Sequence, residues 1–220
     1  MLLVTGTLAA PAVAGAADPA PTGGTAAPET DPAMAVAPNV MLGRAAEFSG
    51  TLPAAAGRTV TIERLDAETG AWVAIASAPV GPDGRYVATW EPDVTGRVPT
   101  RVTVAAAAST DAAETAFALA APLEALLTVY RPANATWFGP GFYGRRTACG
   151  LRMSKRLLGV AHKRLPCGTM VAFTYKGRAI TVPVVDRGPF TKGRAWDLTS
   201  AAAKALRFTA TGRLGAVPLG

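Results

Sequence analysis

The chain has very little histidine and cysteine, with one histidine and two cysteines among 220 residues. A structural zinc site takes about four Cys or His ligands, so the sequence excludes that class of metal site. Charged residues make up 17% of the chain, below the ~25% of an average globular protein. Aromatic residues are also scarce, at 7%. The 23 glycines and 18 prolines predict turns and linkers rather than long helices.

The N-terminal region lacks positive charge, since no Lys or Arg precedes Arg44. Residues 1–17 are apolar and contain Ala14-Gly15-Ala16, the A-x-A pattern that signal peptidase cleaves, so we predict a signal peptide with a truncated start. The alternative is an Ala-rich tail. No apolar run reaches the ~20 residues of a membrane span. Residues 18–38 are rich in Pro, Ala, Thr and Gly, which predicts a disordered linker.

Acidic residues predominate in the first part of the chain and basic residues in the second. Residues 1–130 hold 6 Lys and Arg against 13 Asp and Glu, whereas residues 131–220 hold 16 against 2. This separation predicts two modules with different partners. The basic module favours an anionic polymer as its ligand. Nucleic acid is the rival ligand, and predicted export and the lack of a nucleic-acid motif argue against it.

Cys149 and Cys167 are the two cysteines. In an exported chain an even number of cysteines indicates a disulfide, here one that closes a short loop. The alternatives are two buried free thiols or a thiol nucleophile, for which His162 would have to act as the base.

The first module, over residues 39–130, shows short alternating segments separated by turns. Such spacing predicts a β-sandwich. Its patterns resemble those of bacterial immunoglobulin-like extracellular domains, which implies a spacer or a binding module. A helix within residues 107–127 is the alternative, because LAAPLEALL has no clear period. The expected strands lie at residues 45–50, 58–65, 72–78, 85–90, 102–106 and 116–130.

The second module, over residues 133–220, has the pattern of a small β-barrel with one helix. Lys176-Gly177 predicts a tight hairpin turn. Residues 195–208 predict a helix, which Asp197 or Thr199 would cap. The expected strands lie at residues 133–138, 170–175, 178–185 and 213–217.

Several motifs occur in order along this module. They are ATWFGPGFYG at 135–144, RTACG at 146–150, VAHKRLPCGT at 160–169, VVDRGPF at 184–190 and WDLT at 196–199. Together they resemble the double-psi β-barrel of the RlpA-type septal lytic transglycosylases, which are related to expansins. The positions of the cysteines resemble those of secreted actinobacterial members.

The resemblance implies a monomeric, secreted or wall-associated lyase that acts on the glycan strands of peptidoglycan and needs no cofactor. The implied reaction cleaves the bond between N-acetylmuramic acid and N-acetylglucosamine and leaves a 1,6-anhydro end. Because the attacking hydroxyl belongs to the sugar, one carboxyl group suffices, whereas ordinary glycosidases use two.

The predicted catalytic residues are Asp186 and His162. Asp186 ends the apolar run ITVPVV and is the candidate acid, with a structural carboxylate that caps the following turn as the alternative. His162 matches the histidine of the family's A-H motif, which implies that it orients the acid or the sugar.

The predicted substrate-binding residues are Asp197, Tyr143, Arg187 and Thr147. Asp197 matches the aspartate of the family's D-L-S segment, and a helix cap is its alternative role. Aromatic residues in the motif loops are candidates for stacking on sugar rings, with core packing as their alternative. They are Trp137, Phe138, Phe142, Tyr143 and Phe190.

The sequence departs from the family at two acidic positions. Many active relatives carry G-E-x-x-D after the T-A-x segment, whereas Leu151 and Ser154 occupy the Glu and Asp positions here. The alternative function is therefore an expansin-like module that binds and loosens the wall without catalysis. A purely structural wall protein is the third possibility.

Overall fold

The structure is a computed structural model, and it describes residues 31–104 and 122–219. The predicted signal peptide, the first part of the predicted linker and most of the alternative helix at 107–127 lie outside these ranges. Within them the protein is mainly β, with 13 strands and one short α-helix. No helix of these residues is long and apolar enough to cross a membrane.

Seven strands precede the strand that joins the two modules. They are β1 (Ala33–Val36), β2 (Asn39–Met41), β3 (Ala46–Thr51), β4 (Thr59–Leu65), β5 (Trp72–Pro79), β6 (Arg85–Trp90) and β7 (Gly96–Val104). A 3-10 turn lies at Pro53–Ala55. Strand β1 falls inside the segment predicted to be linker, so the folded region begins earlier than expected. It is held there by antiparallel pairing with β3.

The first module consists of two sheets over one core. One sheet has the order β1-β3-β6, and the other contains β7, β4 and β5. Alternate residues of β6 are buried, as the period-2 pattern of a half-exposed strand requires. Phe48 and Tyr86 of one sheet share the core with Ile62 and Val102 of the other. This arrangement agrees with the expected two-layer packing, while an immunoglobulin-like sandwich remains a prediction.

Strand β8 (Leu123–Phe138) runs through both modules. Its first half pairs with β7 and with β2, and residues 131–138 pair with strands of the second module. The sequence predicts a boundary near residue 131, but the chain continues there as one strand of 16 residues without a linker. The two modules are therefore joined by a continuous strand of the same hydrogen-bonded sheet.

The second module closes into a six-stranded barrel. From β8 the order around the barrel is β13, β10, β11, β9 and β12, and β12 pairs again with β8. The added elements are β9 (Val160–Ala161), β10 (Met170–Tyr175), β11 (Arg178–Asp186), β12 (Trp196–Thr199), α1 (Ser200–Leu206) and β13 (Gly212–Leu219). Phe173, Leu198 and Leu206 are among the buried residues of its core.

The helix is shorter than the sequence predicts. Residues 196–199 form β12, and α1 begins only at Ser200. Thr199 is the N-cap, because its Oγ1 accepts a hydrogen bond from the N–H of Ala202. The predicted alternative of Asp197 as the cap is therefore wrong. Pairing of residues 196–199 with both β8 and β9 outweighs the helix propensity of this segment.

The predicted hairpin turn at Lys176-Gly177 is confirmed. It connects β10 and β11, and both residues have positive φ, at 46° and 76°. A two-residue turn with positive φ at both positions matches the twist of the flanking strands. Glycine adopts this conformation without steric cost.

Candidate functional site

Two aspartates lie on neighbouring strands on either side of Ala161. Ala161 of β9 is the cross-strand partner of Asp186 on β11 and also of Asp197 on β12. The pairing of β11 with β9 is irregular between Val184 and Asp186. The charge of Asp186 acts on Asp197, so the two carboxyl groups lie close together across Ala161.

One oxygen of Asp186 is held by backbone donors. Its Oδ1 accepts hydrogen bonds from the N–H of Ala148 and from the N–H of Arg187, both at 2.8 Å. In the part of the chain that the structure describes, Oδ2 has no hydrogen-bond partner. The side chain is half-buried at the end of β11. The carboxyl is thus fixed through one oxygen, and the other is available to a ligand.

Asp197 is held by a hydroxyl group. The Oγ1 of Thr136 on β8 donates to Asp197 Oδ1 at 2.6 Å. Burial raises the pKa of this carboxyl, the hydrogen bond from Thr136 opposes the shift, and the charge of Asp186 adds to it. Asp197 therefore keeps a proton to a higher pH than an ordinary aspartate.

His162 is fixed in one orientation by its own loop. Its Nδ1 accepts hydrogen bonds from the N–H groups of Arg164, at 3.2 Å, and Leu165, at 3.0 Å. The ring packs on Trp196, with 4.4 Å between centroids. Burial lowers the pKa of His162, and the cations Arg187, Arg164 and Lys163 lower it further. The neutral ring therefore carries its proton on Nε2.

The loop that begins at His162 is hydrogen-bonded to Asp186 and to the next residue, Arg187. The N–H of His162 donates to the backbone carbonyl of Asp186 at 3.2 Å. The guanidinium of Arg187 donates to the carbonyl of Leu165 at 3.0 Å. The structure thus brings the predicted pair of Asp186 and His162 together. The guanidinium of Arg187, which was predicted to bind substrate, bonds here to the protein's own backbone, and its contact with a substrate stays a prediction.

The side chain of Thr147 forms a hydrogen bond within its own loop. The residue is 7% exposed, and its Oγ1 accepts a hydrogen bond from the N–H of Leu151 at 3.2 Å. It immediately precedes Ala148, which contacts Asp186 through its backbone. A direct contact between Thr147 and a substrate stays a prediction.

The predicted disulfide is confirmed. Cys149 and Cys167 are bonded, with 5.7 Å between their Cα atoms, and neither cysteine is free. The bond joins the loop between β8 and β9 to the loop between β9 and β10. Both the alternative of two free thiols and that of a thiol nucleophile are wrong.

The aromatic candidates differ in exposure. Phe190 is 82% exposed, Phe142 48% and Trp137 40%. Phe138 is half-buried and packs edge-on against Phe142. The hydroxyl of Tyr143 lies 3.1 Å from Oγ of Ser200, at the start of α1, so this side chain is partly used for packing. Three exposed rings therefore remain available for stacking on a ligand.

The two positions that depart from the family lie on the loop that carries Ala148. Leu151 is 44% exposed, and Ser154 accepts a hydrogen bond from the N–H of Arg156. Neither provides an acid. In residues 31–104 and 122–219, no three side chains of His, Cys, Asp or Glu are grouped so that they could hold a metal ion.

The cations of the barrel have no carboxylate partner within the described ranges. The ion pairs there are Arg64–Asp66, Arg85–Asp83 and Arg101–Glu63, and all three belong to the first module. Of the barrel's cations, Lys163, Arg164 and Arg187 are close enough to act on the pKa of His162. The surroundings of His162 are therefore positively charged.

Sequence reasoning does not identify several groups of the site. The N–H of Ala148 carries no signal in the sequence, because any residue but proline has one. Thr136 and Trp196 both lie within quoted motifs, but only the structure shows that Thr136 bonds to Asp197 and that Trp196 packs on His162. A polar residue at an alternating position of β8 is the one signal that points to Thr136.

Comparison with known proteins places residues 131–219 in a family described as "Lytic transglycolase". The probable endolytic peptidoglycan transglycosylase RlpA of Synechocystis is 48% identical over 80 residues, which is 36% of this chain and 25% of that protein. The protein of the same description from Aquifex aeolicus is 47% identical over 74 residues, 33% of each chain. The endolytic peptidoglycan transglycosylase RlpA of Campylobacter jejuni is 41% identical over 80 residues, 36% of this chain and 29% of that protein.

Among solved structures, the Streptomyces papain inhibitor (SPI) matches with a TM-score of 0.32 and 26% identity, over 40% of this chain and 91% of that one. The chain spans about a quarter to a third of the length of the curated relatives named above. The matches to the family and to these relatives agree with the closed six-stranded barrel. The C-terminal domain of this chain, residues 131–219, is therefore an RlpA-like double-psi β-barrel.

Proposed function

We propose that the barrel domain is a peptidoglycan lytic transglycosylase in which Asp186 is the single catalytic acid and base. The observation that carries this proposal is the hydrogen bonding of its carboxyl group. Two backbone donors hold Oδ1, and Oδ2 has no partner in the described part of the protein. A general acid needs a fixed carboxyl with one oxygen directed to the substrate. The names of the RlpA relatives support the reaction class.

In the proposed reaction, Asp186 gives up one proton and takes one back. Protonated Asp186 gives its proton to the bridging oxygen as the bond from C1 of N-acetylmuramic acid to that oxygen breaks. The carboxylate then takes the proton of the C6 hydroxyl of the same muramic acid residue. Oxygen 6 bonds to C1, which forms the 1,6-anhydro ring, and Asp186 is protonated again. No water is consumed, so the reaction is that of a lyase.

His162 and Asp197 act on the substrate in this proposal. His162 is neutral and offers its Nε2–H as a hydrogen-bond donor, because Nδ1 is occupied by two backbone N–H groups. Asp197 lies close to Asp186 across Ala161 and binds a sugar hydroxyl. Exposed Phe190, beyond the turn that follows Asp186, supplies a ring for stacking on a sugar face.

The positive charge around the site supports an anionic partner. Peptidoglycan carries carboxylates on its lactyl groups and peptide stems, and anionic wall polymers accompany it. Cations without carboxylate partners in the described barrel attract such groups over about one Debye length, ~10 Å at 0.1 M salt. Electrostatics then adds affinity and steering, while Asp186 performs the proton transfers.

We infer that the protein acts outside the cytoplasmic membrane, since its substrate lies there and the Cys149–Cys167 disulfide is typical of an oxidising compartment. The first module, as an immunoglobulin-like sandwich, is a spacer in this proposal. Three ion pairs form among its described residues, and it continues into the barrel through β8.

The test is incubation of purified protein with sacculi and with stem-free glycan strands, followed by mass spectrometry. We expect fragments with 1,6-anhydro ends. Asp186→Asn should lower turnover by about 10²–10⁴-fold, the usual contribution of a general acid or base. The matched control is Asp83→Asn, which changes an exposed carboxylate of the first module.

The alternative is a binding module without catalysis, which the absence of acids at Leu151 and Ser154 favours. Tight pelleting with sacculi and no fragments from either substrate would establish it and overturn the proposed enzyme. A structural wall protein predicts only salt-sensitive adsorption. Binding that survives about 0.5 M salt, where screening is strong, would eliminate that possibility.

A further inference from the structure

The Cys149–Cys167 disulfide adjoins the residue that holds Asp186. Ala148 donates its N–H to Asp186 Oδ1 at 2.8 Å, and the next residue in the chain is Cys149. Ala148 is exposed and lies in the irregular loop 139–159 between β8 and β9. Apart from its contact with Asp186, the position of this N–H depends on how firmly its loop is held.

The hydrogen bonds nearest to Ala148 lie within its own loop. The N–H of Thr147 bonds to the carbonyl of Leu151, and the N–H of Gly150 bonds to the carbonyl of Thr147. These bonds shape the turn but do not attach it to β11. The disulfide is the covalent link from this turn to a second loop, residues 162–169.

The second loop is hydrogen-bonded to the chain on both sides of Asp186, to Val184 of β11 and to Arg187, which follows β11. The N–H of Gly168 donates to the carbonyl of Val184 at 2.8 Å, and the guanidinium of Arg187 donates to the carbonyl of Leu165 at 3.0 Å. Cys167 lies between these two attachments. A continuous path therefore runs from Asp186 through Ala148, the disulfide, the second loop and Arg187 back to Asp186.

We propose that the Cys149–Cys167 disulfide is a positioning element for Asp186 and that the rate of catalysis depends on it. This inference rests on the proposed function, because it concerns the carboxyl that is proposed to transfer the proton. The disulfide fixes the Ala148 N–H above Oδ1, and this keeps Oδ2 directed outward to the substrate. A displacement of about 1 Å at such a site lowers rates by as much as ~10²-fold.

The disulfide is accessible to reductants, since Cys167 is exposed and Cys149 is half-buried. We would therefore compare the oxidised protein, the protein reduced with a phosphine, and the double substitution Cys149→Ser with Cys167→Ser. Turnover of stem-free glycan strands is measured well below the unfolding midpoint of each form. We expect kcat to fall about tenfold or more with little change in KM, and to recover when the reduced protein is reoxidised.

A spectroscopic measurement separates positioning from general stabilisation. An amide proton that bonds to a carboxylate at 2.8 Å resonates at low field, so the Ala148 amide should shift upfield on reduction, whether or not turnover occurs. Replacing Ala148 by lactic acid turns its N–H into an ester oxygen and leaves the disulfide intact. This change should lower kcat in the same way.

Ser154→Ala is the matched control, because it removes a hydrogen bond from the same loop that does not lead to Asp186. It should leave kcat and the Ala148 resonance unchanged. An unchanged kcat and an unmoved Ala148 resonance in the reduced, folded protein would overturn the inference. If the oxidised protein has no turnover, the proposed function fails, and the resonance still decides whether the disulfide positions Ala148.

Discussion

The two modules of this protein differ in their ion pairs, which form in the first module and not in the described part of the barrel. In the first module, Arg101 contacts both Glu63, at 2.6 Å, and the ring of Trp72, at 4.3 Å. In the barrel, the 16 Lys and Arg of residues 131–220 face two acidic side chains, Asp186 and Asp197, and no ion pair forms within the described ranges.

Some charges of the first module thus pair with one another, whereas the described cations of the barrel form no ion pair with a carboxylate. Exposed ion pairs contribute little to stability, typically below ~1 kcal/mol, so their absence costs the barrel little. Like charges around one site nevertheless repel, and an anionic ligand relieves that repulsion. This difference agrees with the proposal of a spacer role for the first module and a binding role for the barrel.

The largest effect should come from truncating a large core side chain in either module. Phe48 and Phe173 are fully buried, one in each module. Truncation of either to Ala should cost about 3–5 kcal/mol of unfolding free energy. Because β8 belongs to both modules, we expect one urea transition and loss of amide protection in both modules at the same midpoint. A variant that destabilises only its own module would show that the shared strand does not couple them.

A charge reversal near the site should weaken binding more than one in the first module. Lys163→Glu with Arg164→Glu removes two cations near His162 but leaves the backbone N–H that bonds to its Nδ1. We expect about tenfold weaker pelleting with sacculi at 0.1 M salt and a smaller difference at 0.5 M, where charges are screened. Arg85→Glu in the first module is the control. Equal losses for the two changes would contradict the comparison.

Asp197 should make the stability of the barrel depend on pH. Burial raises its pKa above the ordinary 3.8, so the folded state binds more protons than the unfolded state as pH rises from that value. The free energy of unfolding then falls as pH rises through the raised pKa. Asp197→Asn should remove this decline in a series of melting temperatures from pH 4 to 7. The exposed Asp83→Asn should retain it, and an unchanged slope in Asp197→Asn would refute the assignment.

The smallest effect is spectroscopic. His162 is the only histidine, so its ring nitrogens are assigned without ambiguity. Its pKa is lowered by burial and then by Arg187, so more than half of the rings are neutral at pH 6.5, where an ordinary histidine is half protonated. Nitrogen-15 spectra should show a bare Nδ1 and a protonated Nε2. Arg187→Gln should move the pKa part of the way back, and a protonated Nδ1 would contradict the structure.

Much of the fold follows from local pattern. The alternating run at residues 85–90 and the hairpin at Lys176-Gly177 appear as the sequence predicts. The exceptions are elements whose existence depends on distant partners. Strand β9 has only two residues and is defined by its pairing with β11 and β12. Residues 196–199 have the composition of a helix start but pair as a strand.

The candidate site was predictable in its residue types and not in its contacts. Asp186, His162 and the disulfide are visible as motifs. The hydrogen bonds that orient them come from backbone groups of Ala148, Arg164 and Leu165, which any sequence provides. The alternative of Asp197 as a helix cap fails because this residue pairs as part of β12, where it accepts a hydrogen bond from Thr136, and its predicted binding of substrate stays a prediction.

By itself, the sequence determined the separation of charge, the alternation that makes strands, and the order of motifs that marks the barrel, because each depends on residues near one another in the chain. Only the tertiary structure decided that one strand serves both modules, that two aspartates flank Ala161, and that a disulfide leads back to Asp186. These features arise from pairing between segments far apart in sequence, where the balance of many weak contacts selects the register.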